Sequence, residues 1–73
     1  MTKLPVSSAR EVLRALEKVD FIIDHQKGSH IVLIRGNPPS RIVVPNHNQI
    51  DKGTLRAIIR QAGLTVDEFV RLL

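Results

Sequence analysis

The sequence predicts an α+β domain in the order helix, three antiparallel strands, helix and a short closing helix. Three observations carry that prediction. Ser8 and Glu11 have the spacing of a helix-opening capping box, ahead of apolar residues at three- and four-residue intervals. From Phe21 to Val44, β-branched and aromatic runs are broken by Gly- and Pro-containing turns. From Leu55 onward the helical spacing returns. Helices segregated from a set of hairpins define an α+β layout, with both long helices on one face of the three-stranded sheet.

The first helix is expected from its Ser8 cap to about Lys18, where Val12, Leu13, Leu16 and Val19 form the apolar side. Arg10, Arg14 and Lys18 repeat every four residues on another side, a basic stripe. The strands are expected over Phe21 to Gln26, His30 to Arg35 and Arg41 to Val44. Lys27-Gly28-Ser29 joins the first pair and Gly36-Asn37-Pro38-Pro39 the second. Glycine there supplies positive φ and proline ends the ladder, and connections this short make antiparallel hairpins. The second helix is marked by Leu55, Ile58, Ile59 and Ala62, with Gly63 as its stop. Lys52, Arg56 and Arg60 form a second basic stripe along it. Thr65 and Glu68 repeat the capping-box spacing and open a short last helix whose Val66, Phe69, Val70 and Leu73 are expected to close one edge of the core.

The chain of 73 residues is read as one domain over 1–73, held by its core alone because it has no cysteine to cross-link it. Eleven Lys and Arg against seven Asp and Glu leave a formal charge of +4, which suits a polyanionic partner such as nucleic acid. The first residues lack the apolar core of a signal peptide, and no stretch approaches the ~18 apolar residues of a membrane span. The expectation is a cytoplasmic protein with no membrane partner. His25, His30 and His47 have no companions at zinc-ligand spacing, and the seven acidic residues show no metal-binding motif.

The α-β-β-β-α order is that of double-stranded-RNA-binding domains, although fold order by itself does not establish function. Two segments narrow the reading. Gln26-Lys27-Gly28-Ser29-His30 resembles the QKGSH segment of HicA-type toxins, the messenger-RNA-cleaving partners of type II toxin–antitoxin pairs. Val44-Pro45 followed by His47, and then Gly53-Thr54-Leu55-Arg56 running on to Gln61-Ala62-Gly63-Leu64, is similar to the same family's VPxH and GTLRxIxxQAGL segments. Two positions depart from the pattern: Asp20 stands where the family usually has Gly, and His25 where an Arg often precedes the QKGSH run.

The resemblance implies an endoribonuclease that degrades messenger RNA and arrests growth until a HicB-like antitoxin neutralises it, with His30 catalytic and neither metal nor other cofactor. Such chemistry is physically sufficient. RNA carries its own nucleophile in the 2′-hydroxyl, and an imidazole with an ordinary pKa near ~6.5 exchanges protons at neutral pH. Gly28, lacking Cβ, would let a phosphate approach the backbone, Ser29 offers a hydroxyl and Lys27 a cation. Lys52 and Arg56 are the further candidates for RNA contact. Each of these residues also has a plain alternative: Lys27, Gly28 and Ser29 as a hairpin turn, the stripes as solvated helix faces, and His25 and His47 as surface residues.

The alternative function is a non-catalytic RNA-binding module on the same fold. Alternation along the second strand puts His30, Val32 and Ile34 on one face, and Ile31 and Leu33 on the other. With Ile31 and Leu33 under the helices, His30 is expected on an open face beside two apolar residues, where an antitoxin would dock.

Overall fold

A computed structural model describes residues 3–73. Its elements are α1 (Ala9–Glu17), β1 (Ile22–Lys27), β2 (His30–Gly36), β3 (Pro39–Pro45), α2 (Lys52–Gln61) and α3 (Val66–Leu72), with the strands in the antiparallel order β1-β2-β3. The α+β layout is the one the patterning predicts.

Local chemistry sets the helix ends. Ser8 Oγ accepts from the Glu11 N–H at 3.2 Å while the Glu11 carboxylate accepts from the Ser8 N–H at 3.0 Å, and Thr65 and Glu68 repeat the exchange at 3.1 and 2.9 Å. Each box satisfies two N–H groups that a helix start leaves free. Asp51 caps α2, its Oδ2 accepting from Gly53 and Thr54. A Cβ at Gly53 would sit 3.1 Å from that oxygen, so glycine leaves the cap its room. Beyond α2, Gly63 adopts φ +76° and the Leu64 N–H reaches back to the Ile59 carbonyl, a left-handed stop of the kind glycine favours. Beyond α1 the same role falls to Asp20, at φ +74°, with the Phe21 N–H bonded to the Leu16 carbonyl.

That last bond explains why β1 begins at Ile22 and not at Phe21. The Phe21 N–H is already used, and its ring is buried in the core. In the first hairpin Lys27 pairs with His30 across Gly28-Ser29, with Gly28 at φ +59°. In the second, Gly36 pairs with Pro39, so the ladder runs through both ends of the expected loop and β3 extends to Pro39–Pro45. Proline is tolerated at those ends because β3 is an edge strand.

The core lies between the sheet and the helices. Val12, Ala15 and Leu16 of α1, Leu55, Ile58 and Ile59 of α2, and Phe69 of α3 meet Ile31, Leu33, Ile42 and Val44 of the sheet. Both long helices pack on β3, and α3 packs on α1 and α2, so the helical layer is displaced toward β3. All six residues of β1 are consequently exposed, including Ile22 and Ile23. Ser40 Oγ donates to the Gln61 carbonyl, which fixes the end of α2 beside the start of β3. The start of α2 therefore lies toward the Pro45 end of the sheet.

Candidate functional site

His30 is the first residue of β2, directly after the Gly28-Ser29 turn, and its side chain is exposed. Its neighbours across the sheet are Lys27 on β1 and Pro45 on β3. The turn needs Gly28 because φ +59° is a conformation that side chains with a Cβ adopt only under strain, and nothing lies within 4 Å of the position a Cβ would take. The turn backbone is open, with Lys27 and Ser29 exposed on either side of Gly28.

The loop after β3 closes this end of the sheet. The Asn46 N–H donates to the Ser29 carbonyl at 2.7 Å, the His47 N–H to the Pro45 carbonyl at 2.9 Å, and the Ala9 N–H to the His47 carbonyl at 2.9 Å. The Ile50 N–H donates to the Ser7 carbonyl at 2.9 Å. One rim of the domain thus gathers the Lys27–His30 hairpin, the His47 loop and the start of α1. Lys52 stands exposed at the first position of α2, and Arg56 and Arg60 follow it at four-residue intervals. None of the three is in an ion pair among the described residues, where the single such contact joins His25 Nδ1 to Asp24 Oδ2 at 2.7 Å.

Of the face expected around His30, part is corrected. Ile31 and Leu33 are buried under the helices, and His30 is exposed on the other side. Val32, however, is only 4% exposed, and Ile34 is half-buried. Val32 lies outside the core cluster; it is on the central strand, with His25 and Val43 as its partners on either side. The apolar surface actually offered on this face belongs to the outer strands, Ile22 at 62% and Val43 at 37%. The closing helix α3 packs on the other two helices.

Arg35 is a residue that the sequence reading did not single out. Its Nε donates to the Pro38 carbonyl at 3.0 Å, and Nη1 makes long contacts of 3.5 Å to the carbonyls of Val19 and Ala62, at the ends of α1 and α2. The guanidinium also lies 4.4 Å from the Phe21 ring centroid. It ties both helix ends to the sheet at the opposite rim from His30. A groove of about 470 Å³ runs between α1 and the end of α3, lined by Glu11, Arg14, Glu17, Lys18, Leu72 and Leu73, and includes none of the residues of the hairpin or the His47 loop.

Among the described residues, no group of three or more His, Cys, Asp or Glu side chains comes together, and no helix is long and apolar enough to cross a membrane.

Comparison with protein families settles the kinship. The model of the HicA toxin of bacterial toxin–antitoxin systems matches residues 9–64, from the first residue of α1 to just beyond the Gly63 stop. The chain belongs to the HicA toxin family. No curated protein matches the chain. Membership makes it a toxin of a toxin–antitoxin system and implies an antitoxin as its partner. The HicA match takes in the hairpin, His30, the His47 loop and all of α2, so each candidate residue lies inside it.

Proposed function

We propose that this HicA-family toxin is a metal-independent endoribonuclease that cleaves messenger RNA in the cytoplasm, with His30 as an acid–base group, and so blocks translation and growth. The observation that carries this reading is the setting of His30: an exposed imidazole at the start of a strand, beside a turn with open space where a Cβ of Gly28 would stand and across from a lysine.

Cleavage requires a base or acid at the reacting oxygens and stabilisation of the charge that grows on phosphorus-bound oxygen. His30 serves the first need. Lys27, Gly28 and Ser29 serve the second, with the ammonium, the approachable backbone and the hydroxyl directed at one phosphate. Lys52 and Arg56 hold neighbouring phosphates, since residues four apart share one helix face with Cβ atoms roughly 6 Å from one another. An open rim suits this substrate better than a closed pocket would, because a long strand must enter and leave. The antitoxin, HicB-like in this reading, covers the His30 face by seating on the apolar surface of Ile22 and Val43.

The test is cleavage of a defined RNA by purified wild type and His30→Ala in excess chelator. Wild type is expected to cut and to leave 2′,3′-cyclic phosphate ends, the product of 2′-hydroxyl attack. His30→Ala is expected to be slower by about 10²- to 10⁴-fold, the usual worth of positioned acid–base catalysis, while folding normally. Full cleavage by folded His30→Ala would overturn the assignment, and loss of wild-type cleavage in chelator with recovery in magnesium would overturn metal independence.

A further inference from the structure

Cleavage by 2′-hydroxyl attack involves two proton transfers at two places. One proton leaves the 2′-hydroxyl as its oxygen bonds to phosphorus, and another reaches the 5′ oxygen as the P–O5′ bond breaks. The entering and departing oxygens lie on opposite sides of the phosphorus, so two separately placed groups serve an in-line displacement better than one.

His47 is the candidate for the second of these groups. Its chain position is set by backbone alone: Asn46 N–H is bonded to the Ser29 carbonyl, His47 N–H to that of Pro45, Ala9 N–H to that of His47, and Ile50 N–H to that of Ser7. The first of these bonds ties the loop to the residue immediately before His30. Meanwhile the His47 ring is exposed and has no hydrogen bond or ion pair to any described residue. A loop fixed at four points thus carries a free imidazole. Pro45 is the cross-strand partner of His30, and with about 5 Å between paired Cα atoms and 3.8 Å per peptide step, the two histidine Cα atoms are at most about 13 Å apart.

The surrounding groups leave the task to these histidines. Glu11 is engaged in capping α1, and Asp51 in capping α2. Lys27, Lys52 and Arg10 are the cations that flank the rim, and Lys3 is a further exposed cation on the N-terminal segment. His25, the remaining histidine, is farther along β1, opposite Val32, with its Nδ1 held by Asp24. Imidazole is the side chain whose ordinary titration range spans neutral pH.

We propose that His30 and His47 form a proton-transfer pair, one taking the proton from the 2′-hydroxyl and the other delivering a proton to the departing 5′ oxygen. The proton count balances: one is removed from RNA, one is returned, and the products are a 2′,3′-cyclic phosphate and a 5′-hydroxyl. The pairing rests on the ribonuclease reading above.

The experiment compares wild type, His30→Ala and His47→Ala on an oligoribonucleotide and on its counterpart with sulfur replacing the bridging 5′ oxygen at the cleaved bond. A thiolate leaves without being protonated, so the sulfur substrate dispenses with the acid. His47→Ala is expected to keep its Tm, to lower kcat on the oxygen substrate by about 10²-fold or more, and to turn a bell-shaped pH–rate profile into one with a single limb. The sulfur substrate is expected to restore the rate of one of the two variants and not of the other. His47→Gln provides a second variant should the alanine protein fold poorly. Wild-type kcat and an unchanged bell in folded His47→Ala would overturn the pair while leaving His30 and the ribonuclease reading intact. So would a slower variant whose bell persists and for which sulfur rescues neither protein. Full activity of His30→Ala would instead overturn the ribonuclease mechanism itself.

Discussion

Asp20→Gly is expected to stabilise this protein, and the gain follows from the backbone at the end of α1. Asp20 has φ +74°, where a residue with a Cβ costs roughly 1–2 kcal/mol, somewhat less for Asp because its short side chain can bond locally. Here that relief is missing, as the Asp20 carboxylate makes no hydrogen bond or ion pair with any described residue. The carboxylate also sits just beyond a helix C-terminus, where a negative charge is unfavourable by about 0.3–1 kcal/mol. Against these gains stands the greater freedom of glycine in the unfolded chain, about 0.5–1 kcal/mol. The balance is a net stabilisation of about 1 kcal/mol, which for a domain of this size raises Tm by about 4–8 °C. Thermal and urea unfolding followed by circular dichroism measure it, with an unchanged m-value expected. Asp20→Asn, which removes the charge and keeps the side chain, should recover only the electrostatic part. A glycine variant no more stable than wild type would refute the reasoning, because it would mean that the left-handed turn carries no strain.

Arg35→Met is expected to destabilise the fold by about 2 kcal/mol, since it removes a charge-assisted hydrogen bond at 3.0 Å, two longer contacts to helix-end carbonyls and the stacking on Phe21; urea unfolding reads the loss, and Arg35→Lys should restore little of it. In acid, Glu11 and Glu68 are expected to contribute to unfolding. Hydrogen bonds from Ser8 and Thr65 hold both carboxyls below their ordinary 4.5, so their stabilisation is present above that pH and is lost as pH falls through the lower folded values. The double variant Glu11→Gln and Glu68→Gln should therefore show a shallower loss of Tm below pH 4.5, and an unchanged slope would count against the caps as its source. RNA cleavage should weaken steeply with added salt, and Lys52→Ala with Arg56→Ala should make that dependence shallower, as each lost phosphate contact lowers the salt slope by about one. A slope unchanged in the double variant would remove these residues from the RNA path.

The sequence by itself determined whatever depends on residues near one another in the chain. Both capping boxes, the Gly63 stop, the two hairpins and the buried sides of α1 and α2 were legible, because a cap, a turn or an amphipathic period is a contest among atoms a few residues apart. On α3, Phe69 is buried as expected, but Leu73 is exposed and Leu72 packs on the core in its place. The QKGSH and GTLR segments also carried the family, and the exposed position of His30 followed from alternation along β2. Boundaries were less legible. Phe21 read as strand because its side chain suits one, but its N–H was claimed by the end of α1; Pro39 and Pro45 read as loop, although an edge strand has no need of their missing N–H groups. Tertiary structure alone decided the rest. Arg35 looked like any surface charge until carbonyls 16 and 27 residues away converged on it. Val32 looked available on the open face until the folded sheet left it only 4% exposed. His47 looked like a loose loop histidine until hydrogen bonds from Ala9 and to Pro45, with the Asn46 bond to Ser29, fixed its backbone beside the rim that carries His30. Contacts of that kind depend on which elements pack together, and pairings so distant leave no periodic mark on the chain.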